Sequence, residues 1–206
     1  MQAARGASLN PSADAHPDPQ GSPSGATRFR LLFLAVFAVA YAADVGSKVL
    51  AVEKLTGRPD VQLVGEWFQL HLIRNPGAAF STGSDFTPAL SALAIAACGV
   101  VAYLARNVAS RGWAVSLGLL LAGIGGNLTD RLFRAPGPLH GHVVDFFQLP
   151  NWPIFNVADI CIDVGAGLAL LLTFRGIGLD GGREKDRPDD DDADADAADG
   201  DPGTTR

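Results

Sequence analysis

The chain has 206 residues, 48% of them hydrophobic, and a formal charge of −6. From Asp180 onward 11 acids stand against 4 bases, a net of −7, so the residues before it carry +1 and present no basic face for nucleic acid. The two cysteines, Cys98 and Cys161, lie inside apolar runs, which argues against a disulfide framework and for buried thiols.

Residues 1–27 are rich in Pro, Ser, Gly, Ala and Asp and lack periodicity, the composition of a disordered extension. No apolar core follows Met1, so no cleavable signal peptide is expected. The first apolar run goes from Phe29 to about Val52, behind Arg28 and Arg30. It is long enough to cross a bilayer core, which takes about 20 residues. Asp44 and Lys48 interrupt its far end and share one helix face. Either the helix end reaches the interface with Lys48 snorkelling, or a polar face turns toward a site inside a bundle.

Residues 57–87 are broken by Gly57, Pro59, Gly65, Pro76, Gly77 and Gly83. Stretches 61–64 and 67–73 carry β-type residues and predict a small strand-rich element outside the membrane. The element closes on Asn75-Pro-Gly-Ala-Ala-Phe80, whose small residues permit a close turn. A second apolar run spans residues 89–105 and a third runs from Trp113 to about Leu128. In the third, Gly118, Ala122, Gly123, Gly125 and Gly126 let neighbouring helices approach closely. It ends in Gly126-Asn127-Leu128-Thr129-Asp130-Arg131, where Asp130 and Arg131 are placed to cap the helix at the interface. A fourth run extends from about Ile154 to Phe174, where Arg175 stops it. Residues 176–206, Gly-rich and then Asp/Ala-rich, predict a solvated, disordered acidic tail.

The fold class expected is therefore a mainly α membrane protein: four transmembrane helices within residues 28–175 and a small strand-rich extracytoplasmic element between helices 1 and 2. Four spans put both termini on one side, together with Arg28, Arg30, Arg106, Arg111, Arg175, Arg183, Lys185 and Arg187. Lys54, Arg58, Arg74, Arg131 and Arg134 fall on the other side, and the positive-inside rule puts both termini in the cytoplasm. Asp44, Lys48, Asn75, Asn127, Asp145 and Asp159 then converge on the outer face.

Residues 140–163 read HGHVVDFFQLPNWPIFNVADICID and set Asp145 and Asp159 at the edges of strongly apolar sequence. Two adjacent carboxylates tend to share one proton, so that one acts as base on a water and the other as acid. That is aspartic-protease chemistry. A membrane proton relay or transporter also uses intramembrane carboxylates, but these acids sit on one face instead of being strung across the bilayer. A structural membrane protein with aspartates as helix caps is a third possibility. His71, His140 and His142 lack ligand spacing, and neither a metal nor a cofactor is expected.

Asp44-x-x-x-Lys48, Asn75-Pro-Gly77-Ala-Ala-Phe80, Gly126-Asn127-x-x-Asp130-Arg131, Val143-Val-Asp145-Phe and Phe155-Asn156-x-Ala-Asp159 occur in this order across four spans. Together they resemble lipoprotein signal peptidase, also called signal peptidase II, over about residues 29–175. The resemblance implies a bacterial inner-membrane aspartic endopeptidase that cleaves just before a diacylglyceryl-modified cysteine of a prolipoprotein. It implies Asp145 and Asp159 as the catalytic pair, with Asp44, Lys48, Asn75, Gly77, Asn127, Asp130, Arg131 and Asn156 shaping or supporting the site. The partners it implies are lipidated precursors and membrane lipids, and the enzyme is expected to act as a monomer.

Overall fold

The computed structural model describes residues 25–77 and 87–182. The expectations for residues 1–24, for Phe80 and Gly83 and for the acidic tail from residue 183 lie outside the described residues. The four helices are α1 Gly25–Leu55, α2 Thr87–Ala105, α3 Arg111–Phe133 and α4 Val157–Phe174. Each is long and apolar enough to cross a membrane. The shortest, α4, has 18 residues; at 1.5 Å per residue that is about 27 Å, close to the hydrocarbon thickness of about 30 Å. The apolar residues are not confined to one stripe, and Val39, Leu93, Tyr103 and Leu170 all face outward. A helix that is apolar all round needs a non-aqueous surround, and lipid supplies it.

Helix α3 is the centre of the bundle and packs against α1, α2 and α4. Its glycines make that approach possible. A Cβ at Gly123 would collide with the Ala158 carbonyl and Ile162 of α4, and one at Gly126 with the Asp44 carboxylate of α1. At one end of the bundle Phe33, Val101, Ala105, Val108, Ala114 and Leu117 form an apolar cluster, with Leu179 packed against it. Trp113 Nε1 donates to the Ile177 carbonyl at 2.8 Å, and the Ala109 N–H donates to the Leu179 carbonyl at 2.9 Å. Residues 177 and 179, which composition assigns to the tail, are thus held against the bundle.

At the other end lies an antiparallel sheet in the order β1-β2-β3, with β1 Val61–Val64, β2 Phe68–Asn75 and β3 Val143–Gln148. The first two strands match the β-type residues of the sequence. The third comes from the segment between α3 and α4, outside the strand-rich element expected between helices 1 and 2. Its short apolar run pairs with β2, aligning Asp145 with Ile73 and Val143 with Asn75. Val144 and Phe146 bury themselves against Ala51 and Leu55 of α1. This small core seats the sheet on the end of α1 and fixes the height of Asp145 above the bundle. A second difference concerns α3, which runs on to Phe133. Asp130 is therefore a buried residue inside the helix, 3% exposed, and not an interfacial cap.

Candidate active site

Asp159 is the third residue of α4, and Asn156 is the N-cap. The Asn156 side-chain oxygen accepts from the Asp159 N–H at 3.1 Å, and the Asn156 N–H donates to Asp159 Oδ2 at 3.0 Å. This reciprocal box satisfies two polar groups that a helix start would otherwise leave open. The amide nitrogen of Asn156 is then free to point elsewhere. It donates to Asp145 Oδ1 at 2.6 Å and to Asn127 Oδ1 at 3.1 Å. One side chain therefore joins the strand that carries Asp145 to the helix that carries Asp159.

Each carboxylate receives a further amide. Asn75 Nδ2 donates to Asp145 Oδ2 at 2.9 Å, and Asn127 Nδ2 donates to Asp159 Oδ1 at 2.8 Å. Asn75 is held by its own turn, in which the Gly77 N–H donates to Asn75 Oδ1 at 2.8 Å. Gly77 has φ +113°, and a Cβ there would also meet the Leu90 side chain. Glycine is what this backbone admits.

Asn127 is oriented by Lys48, whose ammonium donates to Asn127 Oδ1 at 2.8 Å. An ammonium has no acceptor, so the amide oxygen must face it and the amide nitrogen must face Asp159. Lys48 is 1% exposed, which settles the two readings of the first helix in favour of an inward polar face. It lies between Asp44 at 2.9 Å and Asp130 at 3.1 Å. Both acids reach onward. Asp44 Oδ1 accepts from the Ala158 N–H at 2.9 Å, at the start of α4. Asp130 Oδ2 accepts from the Val144 N–H at 3.1 Å, beside Asp145 in β3. Asp130 also pairs with Arg134. The buried Asp44–Lys48–Asp130 triad thus fastens both carboxylate-bearing elements and one amide of the site.

Asp145 and Asp159 open onto a cavity of about 250 Å³ lined also by Asn75, Asn127, Arg131, Trp152, Phe155 and Asp163. Trp152 stands exposed at this wall. The Arg131 guanidinium interacts electrostatically with Asp145, Asp159 and Asp130. The Asp145 carboxyl is pushed up to about 6, first by burial, which penalises its charged form, and also by the charge on Asp159. The hydrogen bonds from Asn75 and Asn156 and the charge on Lys48 act the other way. A pair of carboxyls facing one cavity, with a proton held near neutral pH, can activate a water and protonate a leaving group.

Among the described residues Asn75, Asn127, Arg131 and Asn156 meet around Asp145 and Asp159, with Lys48 behind Asn127. Asp44 and Asp130 lie behind the cavity wall and act through Lys48 and the backbone, while Gly77 acts through Asn75. Sequence reasoning missed Asp163 and Trp152. The signal for Asp163 was present, an acid four residues beyond Asp159 in an apolar run.

Residues 36–175 match the family model described as signal peptidase (SPase) II. The chain is 47% identical over 156 residues to the lipoprotein signal peptidase of Streptomyces griseus, covering 76% of this chain and 80% of that protein. It is also 47% identical over 180 residues to the lipoprotein signal peptidase of Leifsonia xyli, covering 85% of this chain and 83% of that protein. A bacterial membrane enzyme solved by the in meso method at 1.9 Å shares the fold, with a TM-score of 0.61 at 23% identity over 69% of this chain and 92% of that one.

Proposed function

The chain belongs to the signal peptidase II family, a membrane peptidase that removes signal peptides from prolipoproteins, and from that premise we propose that Asp145 and Asp159 form its aspartic catalytic pair. The observation that carries this reading is Asn156, which bonds Asp145 and caps the helix at Asp159, so that both carboxyls meet one cavity.

The substrate helix lies in the membrane beside the bundle, and the bond just before its diacylglyceryl-modified cysteine enters the cavity. One carboxylate takes a proton from a water as its oxygen attacks the scissile carbonyl carbon. The other carboxyl hydrogen-bonds the carbonyl oxygen during attack, and a proton then passes to the departing amine. The active state holds one proton between the two acids. Asn75, Asn127 and Asn156 hold the carboxylates in place, and Arg131 offers donors to the substrate backbone or a lipid headgroup. The protein acts as a monomer, with both termini in the cytoplasm and the site near the outer face of the inner membrane.

The test is cleavage of a diacylglyceryl-modified prolipoprotein by the purified protein in detergent. Asp145→Asn and Asp159→Asn should each lower kcat by about a thousandfold or more, and the unmodified precursor should stay intact. Cleavage surviving either substitution would overturn the assignment.

A further inference from the structure

Asp163 lines the same cavity as Asp145 and Asp159 and is exposed to it. It follows Asp159 by four residues on α4, so it shares that helix face and lies about 6 Å further along the axis, away from the helix start. Among the described residues its carboxylate makes no hydrogen bond or ion pair. The other acids of the inner site are all engaged: Asp44 and Asp130 by Lys48, Asp145 by two asparagines, Asp159 by Asn127 and its own cap. A carboxylate at membrane depth without a partner is unfavourable unless something in the cavity solvates it. Arg131, across the same cavity, likewise has a buried Nε without a hydrogen-bond partner.

Building on the peptidase reading above, we propose that Asp163 is a specificity-determining residue that accepts a hydrogen bond from the signal-peptide side of the substrate. A donor in the apolar signal peptide has to be uncharged, because a charged side chain is costly at membrane depth, and a hydroxyl a few residues before the cysteine is the smallest side chain that meets this. The direction follows from that peptidase reading. Asp159 works at the scissile bond, near the start of α4, and the signal peptide continues from there into the bilayer. A distance of about 6 Å corresponds to two residues of an extended substrate or four of a helical one.

The experiment uses the purified full-length protein and diacylglyceryl-modified precursors that carry alanine at all four positions before the cysteine, or serine at one of the four. Cleavage of the all-alanine precursor by the wild type tests the peptidase reading by itself, and a folded wild type that cuts none of the five overturns both readings. Serine at one position should raise kcat/KM by roughly tenfold, the scale of a hydrogen bond to a charged acceptor. Asp163→Leu should abolish that serine-to-alanine ratio. Asp163→Asn, which keeps a neutral acceptor and the helix, should reduce it to roughly threefold. A wild type that cuts all five precursors equally well, or a ratio unchanged in either variant, would show that Asp163 does not read the substrate.

Discussion

Asp145 combines deep burial with two amide donors. Its pKa is raised to about 6, so it is protonated below that pH and ionised above it. A pair that needs one proton should therefore keep kcat/KM up to about pH 6 and lose it as the pH rises further. Asn75 favours the charged form by donating to it. Asn75→Ala removes that donor, so the descending limb of the kcat/KM profile should move to higher pH. A shift to lower pH would contradict the role given to Asn75. Lys48 presents a different case. It compensates two buried acids and points the Asn127 amide at Asp159. Lys48→Met would leave Asp44 and Asp130 buried without their shared cation, a loss of about 3–5 kcal/mol. We expect a lower melting temperature in detergent and a fall in kcat of about a hundredfold from the misplaced amide. A variant with wild-type melting and turnover would exclude the positioning role.

Among the elements, α3 bears most of the architecture because its glycines let two neighbours come close. Gly123 faces the Ala158 carbonyl and Ile162, one turn from Asp159. Gly123→Ala should force α4 outward, cost about 1–3 kcal/mol of stability and lower turnover, since the start of α4 carries both Asn156 and Asp159. Gly167 is the matched control on α4, where a Cβ would meet nothing within 4 Å. Gly167→Ala should be neutral or slightly stabilising, because alanine is the better helix former. Thermal melts of the two variants compare packing against propensity directly. Strand β3 has a comparable position. It holds Asp145 through pairing with β2 and through the two apolar side chains that seat it on α1.

For the whole molecule the charge distribution gives an orientation in the bilayer that can be tested. The arginines at the start of α1 and between α2 and α3 lie at the end opposite the sheet. With both termini in the cytoplasm, a cysteine-free variant carrying Trp152→Cys should react from outside with a membrane-impermeant maleimide in cells with a permeabilised outer envelope. The same variant with Arg106→Cys instead should react only after the inner membrane is opened. The reverse pattern would invert the topology.

Much of this was legible from the chain alone. Four apolar runs of spanning length are a local property, and lipid-facing helices need no partner to be recognised. The order of the motifs likewise drew attention to Asp145 and Asp159 without any contact being known. Other features depend on which faces meet, and these the sequence left open. Helix α1 is apolar all round, so no periodicity marked the inward side of Asp44 and Lys48; only packing against α3 and α4 buries them. Residues 143–148 form a strand because β2 is there to pair with them, and six residues between turns carry too short a pattern to announce it. Asp163 reaches the cavity because the fold turns its helix face there. The sequence by itself determined the spans and the acids, because length and composition are local. Only the tertiary structure decided what each acid faces, because a side chain's environment is made by residues distant in the chain.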